Sequence, residues 1–234
     1  MTGFSLRAAS GAVAVVVVGA VLAATATAAA SRWTAIAAPS CTSSSYAYAG
    51  LIGQQTRKGI KATVTALAPA QVKQGHVAAW IGVSGGGANG ADEWLQTGLN
   101  TLSDGTSEVY VESALPGSGV SYTTAVDQVE PGDEYRLAVL QVASDRDVWQ
   151  VFVNGRAVGA PVRLSESNTL QPMAMSESWN GGTRACNGFA YRFERLQVAS
   201  KAGSWRPLAD ASLLANHGYR VSERVGTGFV AHSG

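Results

Sequence analysis

Cysteine is scarce in this sequence: only Cys41 and Cys186 occur among its 234 residues. Neither has a histidine or another cysteine near it in the chain, so the ligand spacing of a zinc site is missing. We therefore expect no metal and no other cofactor. A disulfide between the two would close a long loop and add about 4 kcal/mol of stability. The alternative is a pair of buried free thiols.

Long apolar runs are absent except for one at the N terminus. Arg7 is followed by GAVAVVVVGAVLAA and then by the small residues TATAAA, which is the order of segments in a secretory signal peptide. We predict a signal peptide over residues 1–30 and a linker over 31–44. The alternative is an uncleaved anchor, because about 20 apolar residues can span a bilayer. Export to an extracellular location, with no membrane attachment after cleavage, favours the disulfide.

A surplus of basic charge is also lacking. Without Arg7, the chain contains 16 basic and 16 acidic residues. A protein that binds nucleic acid usually carries a basic surplus or stripe, so we expect no nucleic-acid partner. The remaining 200 or so residues suit one domain of ordinary size. We predict a single domain over residues 45–234 and a monomer.

The predicted domain has no long segment with the hydrophobic period of a helix. Only the short segment LADASLLAN, residues 208–216, comes near that period. Short segments rich in Val, Tyr, Trp, Phe and Thr alternate instead with turn residues. Asn154 and Gly155 form the Asn-Gly pair that is typical of a two-residue hairpin turn. These features predict an all-β fold, and the regular turn spacing favours a sandwich of two antiparallel sheets.

Three predicted strands each combine an aliphatic side with a side of mixed chemistry. Successive side chains of a strand point to opposite faces, so in EWLQTGLN the amide of Gln96 lies away from the leucines. The mixed sides of the three strands carry Trp80, Trp94, Gln96, Asn100, Tyr110 and Glu112. A face this rich in aromatic and polar groups indicates a ligand groove. The alternative is an exposed face with ordinary cross-strand aromatic pairs.

One segment has the spelling of a serine hydrolase motif. GVSGG at residues 82–86 matches Gly-x-Ser-x-Gly, the nucleophile elbow that joins a strand to a helix. Here Ser84 is followed by GGGANGAD, which cannot begin a helix, and no histidine can be tied to it. We reject this interpretation.

A second segment places a carboxylate among aromatic residues. PMAMSESWNGG, residues 172–182, has Glu177 close to Trp179 near the end of a predicted strand. A glutamate in a partly dry groove can act as a general base or acid. A solvated glutamate at a strand end is the simpler alternative.

Four segments together resemble the glutamic peptidases, also called eqolisins, which are secreted concanavalin A-like β-sandwich proteins. AWIGVSG, LQTGLN, YVES and SESW follow in the order of the family's AWVGIDG, its LQTGVD, an aromatic strand with a glutamate, and its AEW stretch. The likeness runs from YAYAGL near residue 46 to the C-terminal GTGFVAHS. It implies a concanavalin A-like sandwich, a groove across one sheet and proteolysis of polypeptides at acidic pH.

The resemblance also implies residue roles. Gln96 takes the place of the catalytic glutamine in LQTG, and Glu177 is the best counterpart of the catalytic glutamate. Trp80 corresponds to the groove tryptophan and Glu112 to the glutamate of the aromatic strand. In this scheme the glutamate deprotonates a water, and the amide donates a hydrogen bond to the oxyanion, which is worth about 3 kcal/mol of barrier.

The sequence departs from the family pattern at three points. Ser84 and Asn100 replace two family aspartates, and the tryptophan of SESW stands one place later than in AEW. A shift of one residue would turn Glu177 to the opposite face of its strand. The register between Glu177 and Gln96 is therefore left open by the sequence.

Three candidate functions follow from these observations. The first is a secreted, acid-acting glutamic endopeptidase with a Gln96 and Glu177 dyad. The second is a non-catalytic, lectin-like sandwich that binds carbohydrate or peptide by stacking on Trp80, Trp94 and Tyr110. A structural surface protein is the third. The sequence leaves open whether the chain is an enzyme.

Overall fold

The computed structural model describes residue 41 and residues 45–86, 92–142, 147–164, 170–180, 184–200, 202–222 and 226–234. The predicted signal peptide and most of the predicted linker lie outside these ranges. Across the described ranges the chain forms strands and no helix. A helix with the length and apolarity needed to cross a membrane is accordingly absent from them.

Seventeen strands follow one another in the described part of the chain. In chain order they are β1 (Tyr46–Gly53), β2 (Gly59–Ala66), β3 (Gln71–Val72), β4 (His76–Gly86), β5 (Asp92–Leu102), β6 (Ser107–Leu115), β7 (Gly119–Asp127), β8 (Glu134–Gln141), β9 (Val148–Val153), β10 (Arg156–Arg163), β11 (Gln171–Trp179), β12 (Asn187–Gly188), β13 (Ala190–Ala199), β14 (Trp205–Pro207), β15 (Ala211–Ala215), β16 (Arg220–Val221) and β17 (Phe229–His232).

These strands pair into two large antiparallel sheets. A seven-stranded sheet has the spatial order β15–β1–β11–β4–β5–β6–β7, and an eight-stranded sheet has the order β10–β9–β8–β2–β13–β17–β16, with β14 paired to β13. β3 and β12 form a separate short ladder. The prediction of an all-β sandwich of two antiparallel sheets is confirmed.

The hydrophobic core lies between the two large sheets, and β4 shows how the sequence directs it. Val77, Ala79 and Ile81 alternate along this strand and are fully buried. They belong to one cluster with Ile60 and Val64 of β2, on the facing sheet. As predicted, the aliphatic sides of β4, β5 and β6 therefore face the core, and their mixed sides face outward.

Local turn chemistry also behaves as predicted at the β9–β10 hairpin. Asn154 and Gly155 join these strands, and their φ values are 52° and 84°. A type I′ turn requires positive φ at both central residues, and Asn-Gly is the pair that adopts it most readily. The Asn154 side chain also accepts a hydrogen bond from the backbone N–H of Arg136 at 2.9 Å, which ties the turn to β8.

The helical tendency of residues 208–216 is not realised. Ala211–Ala215 forms β15, which pairs with the edge of β1, in agreement with the predicted all-β fold. Within this strand Leu213 is exposed, whereas Leu214, opposite Gly50 of β1, is partly buried. The free hydrogen-bonding edge of β1 determines the conformation of a segment too short to be a stable helix by itself.

Cys41 and Cys186 form a disulfide, as predicted. The two residues are 145 positions apart in the chain, and their Cα atoms lie 5.5 Å apart, a separation that an ordinary disulfide spans. Cys186 is buried. The bond therefore fixes the start of the described chain against the segment that precedes β12.

Candidate active site

The register of three adjacent strands positions the predicted dyad. β4 lies between β5 and β11; Gln96 of β5 is opposite Gly82, and Glu177 of β11 is opposite Ala78. Trp80 lies between those two β4 positions. Because residues that pair or alternate by two share a face, Gln96, Trp80 and Glu177 all point outward from the core. The open question of the Glu177 face is thus answered by the pairing of β11 with β4.

A groove with a volume of about 400 Å³ runs over this outer face. Aromatic, aliphatic and polar side chains from β1, β4, β5, β6, β11 and β15 line it: Tyr46, Tyr48, Ile52, Trp80, Ser84, Trp94, Gln96, Glu112, Met173, Met175, Glu177 and Leu214. Such a mixture of apolar walls with a few polar groups is typical of a binding site for an organic ligand.

Two donors hold the carboxylate of Glu177. The indole Nε1 of Trp80 donates to Glu177 Oε2 at 2.9 Å, and His76 Nε2 lies 3.3 Å from Glu177 Oε1. The His76 ring in turn stacks on Trp179, with ring centroids 5.4 Å apart. Glu177 is only 6% exposed, so these contacts fix its orientation at the floor of the groove.

The amide of Gln96 is anchored on one side. Its Nε2 donates to the hydroxyl of Tyr110 at 3.1 Å, and Tyr110 is buried in a small cluster with Trp80 and Met175 on this face. Burial, and then the nearby carboxylate of Glu177, raise the pKa of Tyr110 well above its ordinary value, so the hydroxyl stays neutral. An amide nitrogen has two hydrogens, and the second has no partner among the described residues.

A glycine makes room for this arrangement. Gly98 lies between Trp80 and Tyr110 in the register of β4, β5 and β6. A Cβ atom at this position would lie 2.2 Å from the carbonyl oxygen of Ala79 and 2.6 Å from the Cβ atom of Trp80. The absence of a side chain therefore allows the two aromatic residues that hold Glu177 and Gln96 to approach each other.

Glu112 adds a second carboxyl group beside the amide. It lies directly opposite Gln96 on β6. Burial, and then the charge of Glu177, raise its pKa above the ordinary value, although the Trp94 indole that donates to it and the more distant His76 oppose the shift. Glu112 therefore holds its proton at mildly acidic pH more readily than an exposed glutamate.

This coupling gives a direct prediction. We expect Glu177→Gln to lower the pKa of Glu112, because one source of the shift is the negative charge of Glu177. The Glu112 pKa should remain above that of an exposed glutamate, since burial persists. Titration of the Glu112 side-chain carboxyl by NMR measures the change. Glu134→Gln on the other sheet is the control and should leave it unaffected; an unchanged Glu112 pKa in Glu177→Gln would contradict the coupling.

The other predicted ligand-binding residues divide into two groups. Trp80, Trp94 and Glu112 line the groove together with the dyad. Asn100 and Tyr110 share the outer face but do not line the groove: Tyr110 lies beneath it, and Asn100 Nδ2 donates to the hydroxyl of Tyr122 at 2.9 Å.

Sequence reasoning missed several residues that complete the site. His76 shares the outward side of β4 with Trp80, so the alternation of that strand could have identified it. Tyr48 and Met175 could not be found in this way, because their place depends on the pairing of β1 with β11. No described His, Cys, Asp or Glu residues form a group of three or more that is arranged to hold a metal ion.

Solved structures of other proteins have folds similar to this one. No family model and no curated protein sequence matches the chain. Among solved structures, it is similar to scytalido-glutamic peptidase bound to a transition state analogue inhibitor, at 19% identity and a TM-score of 0.58 over 80% of this chain and 97% of that chain. It is also similar to SCP-B, an eqolisin peptidase in complex with the tripeptide Ala-Ile-His, at 20% identity and a TM-score of 0.52 over the same shares.

A further similarity lies outside the peptidases. An alginate lyase from Pseudomonas aeruginosa matches at 16% identity and a TM-score of 0.50, over 63% of this chain and 66% of that chain. At identities this low, these likenesses establish the fold, which is the β-sandwich of the eqolisin peptidases.

Proposed function

We propose that this chain is an exported, acid-acting glutamic endopeptidase whose catalytic domain spans residues 45–234. The observation that carries the proposal is the placement of the Glu177 carboxylate and the Gln96 amide in one groove, on one face of the sheet. The fold supports it, because similar solved structures are glutamic peptidases bound to a transition state analogue or a tripeptide. The disulfide between Cys41 and Cys186 supports export.

The separation of the two groups suits a substrate between them. Gln96 and Glu177 are two strands apart and differ by four residues along β4, so ideal strand geometry puts their Cα atoms about 17 Å apart. At this separation the two side chains are not in direct contact, and the groove above Trp80, between them, is open to a water molecule and a peptide carbonyl group of the substrate.

The chemistry assigns one role to each group. Glu177, oriented by Trp80 and His76, accepts a proton from water as the water oxygen bonds to the scissile carbonyl carbon. The carbonyl electrons move to oxygen, and the Gln96 N–H that has no partner among the described residues donates to that oxyanion. Glu177 then returns the proton to the amide nitrogen as the carbon–nitrogen bond breaks.

The neighbouring carboxyl group accounts for action at acidic pH. Glu112 lies opposite Gln96, and a protonated carboxyl is a neutral hydrogen-bond donor. Its pKa is raised, so the donor form persists to a higher pH than in an ordinary glutamate and is lost as the pH rises through that value. Under mildly acidic conditions the Gln96 amide and the protonated Glu112 are then two neutral donors on the same side of the groove.

A digestion experiment tests the proposal. The chain without residues 1–30 is incubated with a mixture of unstructured peptides from pH 2 to 7, and new termini are identified by mass spectrometry. We expect internal cleavage at acidic pH that disappears toward neutral pH. A Glu177→Gln preparation, purified identically, excludes a contaminating protease. A folded chain that produces no new termini at any pH would contradict the proposal.

A second candidate function is non-catalytic carbohydrate binding in the same groove. Tyr46 and Tyr48 stack with ring centroids 5.7 Å apart at one end of the groove, and Tyr46 is 45% exposed. Exposed aromatic rings are platforms for sugar faces. Binding of neutral oligosaccharides that is lost in Tyr46→Ala, together with no peptide cleavage, would favour this lectin-like function.

A further inference from the structure

A second groove lies on the opposite side of the molecule, on the outer face of the eight-stranded sheet. Its volume is about 540 Å³, and strands β2, β8, β9, β13 and β14 contribute to it. The charged residues that line it are Lys61, Arg136 and Arg195, and no described acidic residue lines it. Since the chain as a whole has a formal net charge of +1, this concentration of positive charge is local.

The cations of this groove have no acidic partners among the described residues. Lys61 Nζ lies over the ring of Trp205, 4.3 Å from its centroid, and the guanidinium groups of Arg136 and Arg195 form no described ion pair. Arg192, which does not line the groove, does have an acidic neighbour: its Nε lies 3.3 Å from Glu194 Oε2. The groove is thus left with positive charge that an anionic ligand can neutralise.

A strained backbone conformation places one of these cations in the groove. Arg195 has a φ of 53°, and the register between β13 and β2 shifts between Glu194 and Gln197. Leu196, the next residue, is buried in the core. The bulge therefore inserts one additional residue whose side chain lies on the outer face, in a conformation that glycine adopts more easily than arginine. Strain that places a charged side chain in a groove is a feature of ligand sites.

The other lining residues suit sugar rings. Phe152, Ala138, Lys61 and Gln197 form one row across β9, β8, β2 and β13, and Trp205 lies beyond it on β14. Aromatic rings of this kind stack on the apolar faces of sugars, and the Gln197 amide can bind hydroxyl groups. Carboxylates spaced along a glycan chain would meet the guanidinium groups, which bind them through paired hydrogen bonds.

Side chains supply most of the contacts available to a ligand in this groove. β8, β2 and β13 are hydrogen-bonded to a neighbour on both sides. The free edge of β14 is only three residues long and ends at Pro207, which has no N–H to donate. The aromatic rings, the Gln197 amide and the cations would therefore carry the recognition, which suits a chain of rings with hydroxyl and carboxylate groups.

We propose that this groove binds a carboxylated polysaccharide. The proposal is independent of the peptidase proposal, because it concerns the other sheet and different residues. A protein with both sites would hold an acidic glycan on one side while the groove of Gln96 and Glu177 faces the other way.

Calorimetric titration of the full folded chain with hexagalacturonate, at low and moderate salt, tests the proposal. We expect binding that weakens with salt and a loss of affinity of about tenfold or more in Arg136→Gln and in Arg195→Gly, because each removes a charge-assisted contact. Arg195→Gly relieves the strained φ, so its melting temperature should be equal to or higher than that of the wild type. Arg220→Gln, which removes an arginine outside the groove, is the matched control and should bind normally.

Several outcomes would overturn this assignment. These are the absence of hexagalacturonate binding, equal binding of the neutral maltohexaose, or unchanged affinity in both arginine variants. Tighter binding of poly-glutamate through the same arginines would assign the groove to acidic polypeptides. Loss of affinity in Trp94→Ala, with Arg136→Gln unaffected, would place the glycan in the groove on the other sheet.

Discussion

Substitution of Glu177 by glutamine lowers the rate of peptide cleavage at acidic pH by about a thousandfold, if the proposed base is correct. Glutamine keeps the size of the side chain and can still contact Trp80 and His76, but it cannot accept the proton of the attacking water. General base catalysis contributes about 10² to 10⁴ in rate. Gln96→Ala should cost about 10² to 10³ through the lost oxyanion donor. The measurement is kcat/KM on one peptide that the native chain cleaves.

Two further variants separate catalysis from folding. Gln96→Glu retains the shape of the side chain but donates only when protonated, so its residual activity should increase as the pH falls. The double variant Gln96→Ala with Glu177→Gln should have a kcat/KM only slightly below that of the less active single variant, because the two groups act as a unit. Thermal unfolding verifies that each variant is folded. Cleavage that stays within tenfold of the native rate in either single variant would reject the dyad.

Removal of the disulfide lowers the free energy of unfolding by about 4 to 5 kcal/mol in the chain-entropy account. The magnitude follows from the 145 positions between Cys41 and Cys186, because a long loop gains much conformational freedom in the unfolded chain when it is opened. For a domain of this size, that loss corresponds to a decrease of roughly 8 to 20 °C in melting temperature. Thermal unfolding of the double variant Cys41→Ser with Cys186→Ser measures it.

A reducing agent provides the control. The sequence has no other cysteine, so reductant should lower the melting temperature of the wild type toward that of the double variant and leave the variant unchanged. Equal melting temperatures for the oxidised wild type and the double variant would show that the bond adds nothing to stability.

Much of the fold could be predicted because it depends on local signals. The Asn154 and Gly155 turn follows from the backbone preferences of two residues. The outward direction of Gln96 follows from the alternation of side chains along one strand. The conformation of residues 208–216 could not be predicted, because the partner that makes them a strand is the edge of β1, about 160 residues earlier in the chain.

The candidate site was predictable to a similar extent. Trp80, Trp94 and Glu112 were identified because each lies on a strand whose two sides differ in composition. The contact of His76 with Glu177 was not, because it joins residues 101 positions apart. The basic groove on the eight-stranded sheet was missed altogether. Its cations are far apart in the sequence, and Arg195 reaches the groove through a bulge that no local pattern reveals.

The sequence by itself determined which residues of each strand face the core, because side-chain alternation is a property of the extended backbone and needs no partner. Tertiary structure decided which strands are neighbours. Trp80 and Glu177 are 97 residues apart, and they meet because β11 pairs with β4 in one register among several that composition would allow. Since a shift of one residue would have turned Glu177 toward the core, the pairing of distant strands is what brings the carboxylate and the amide of Gln96 into one groove.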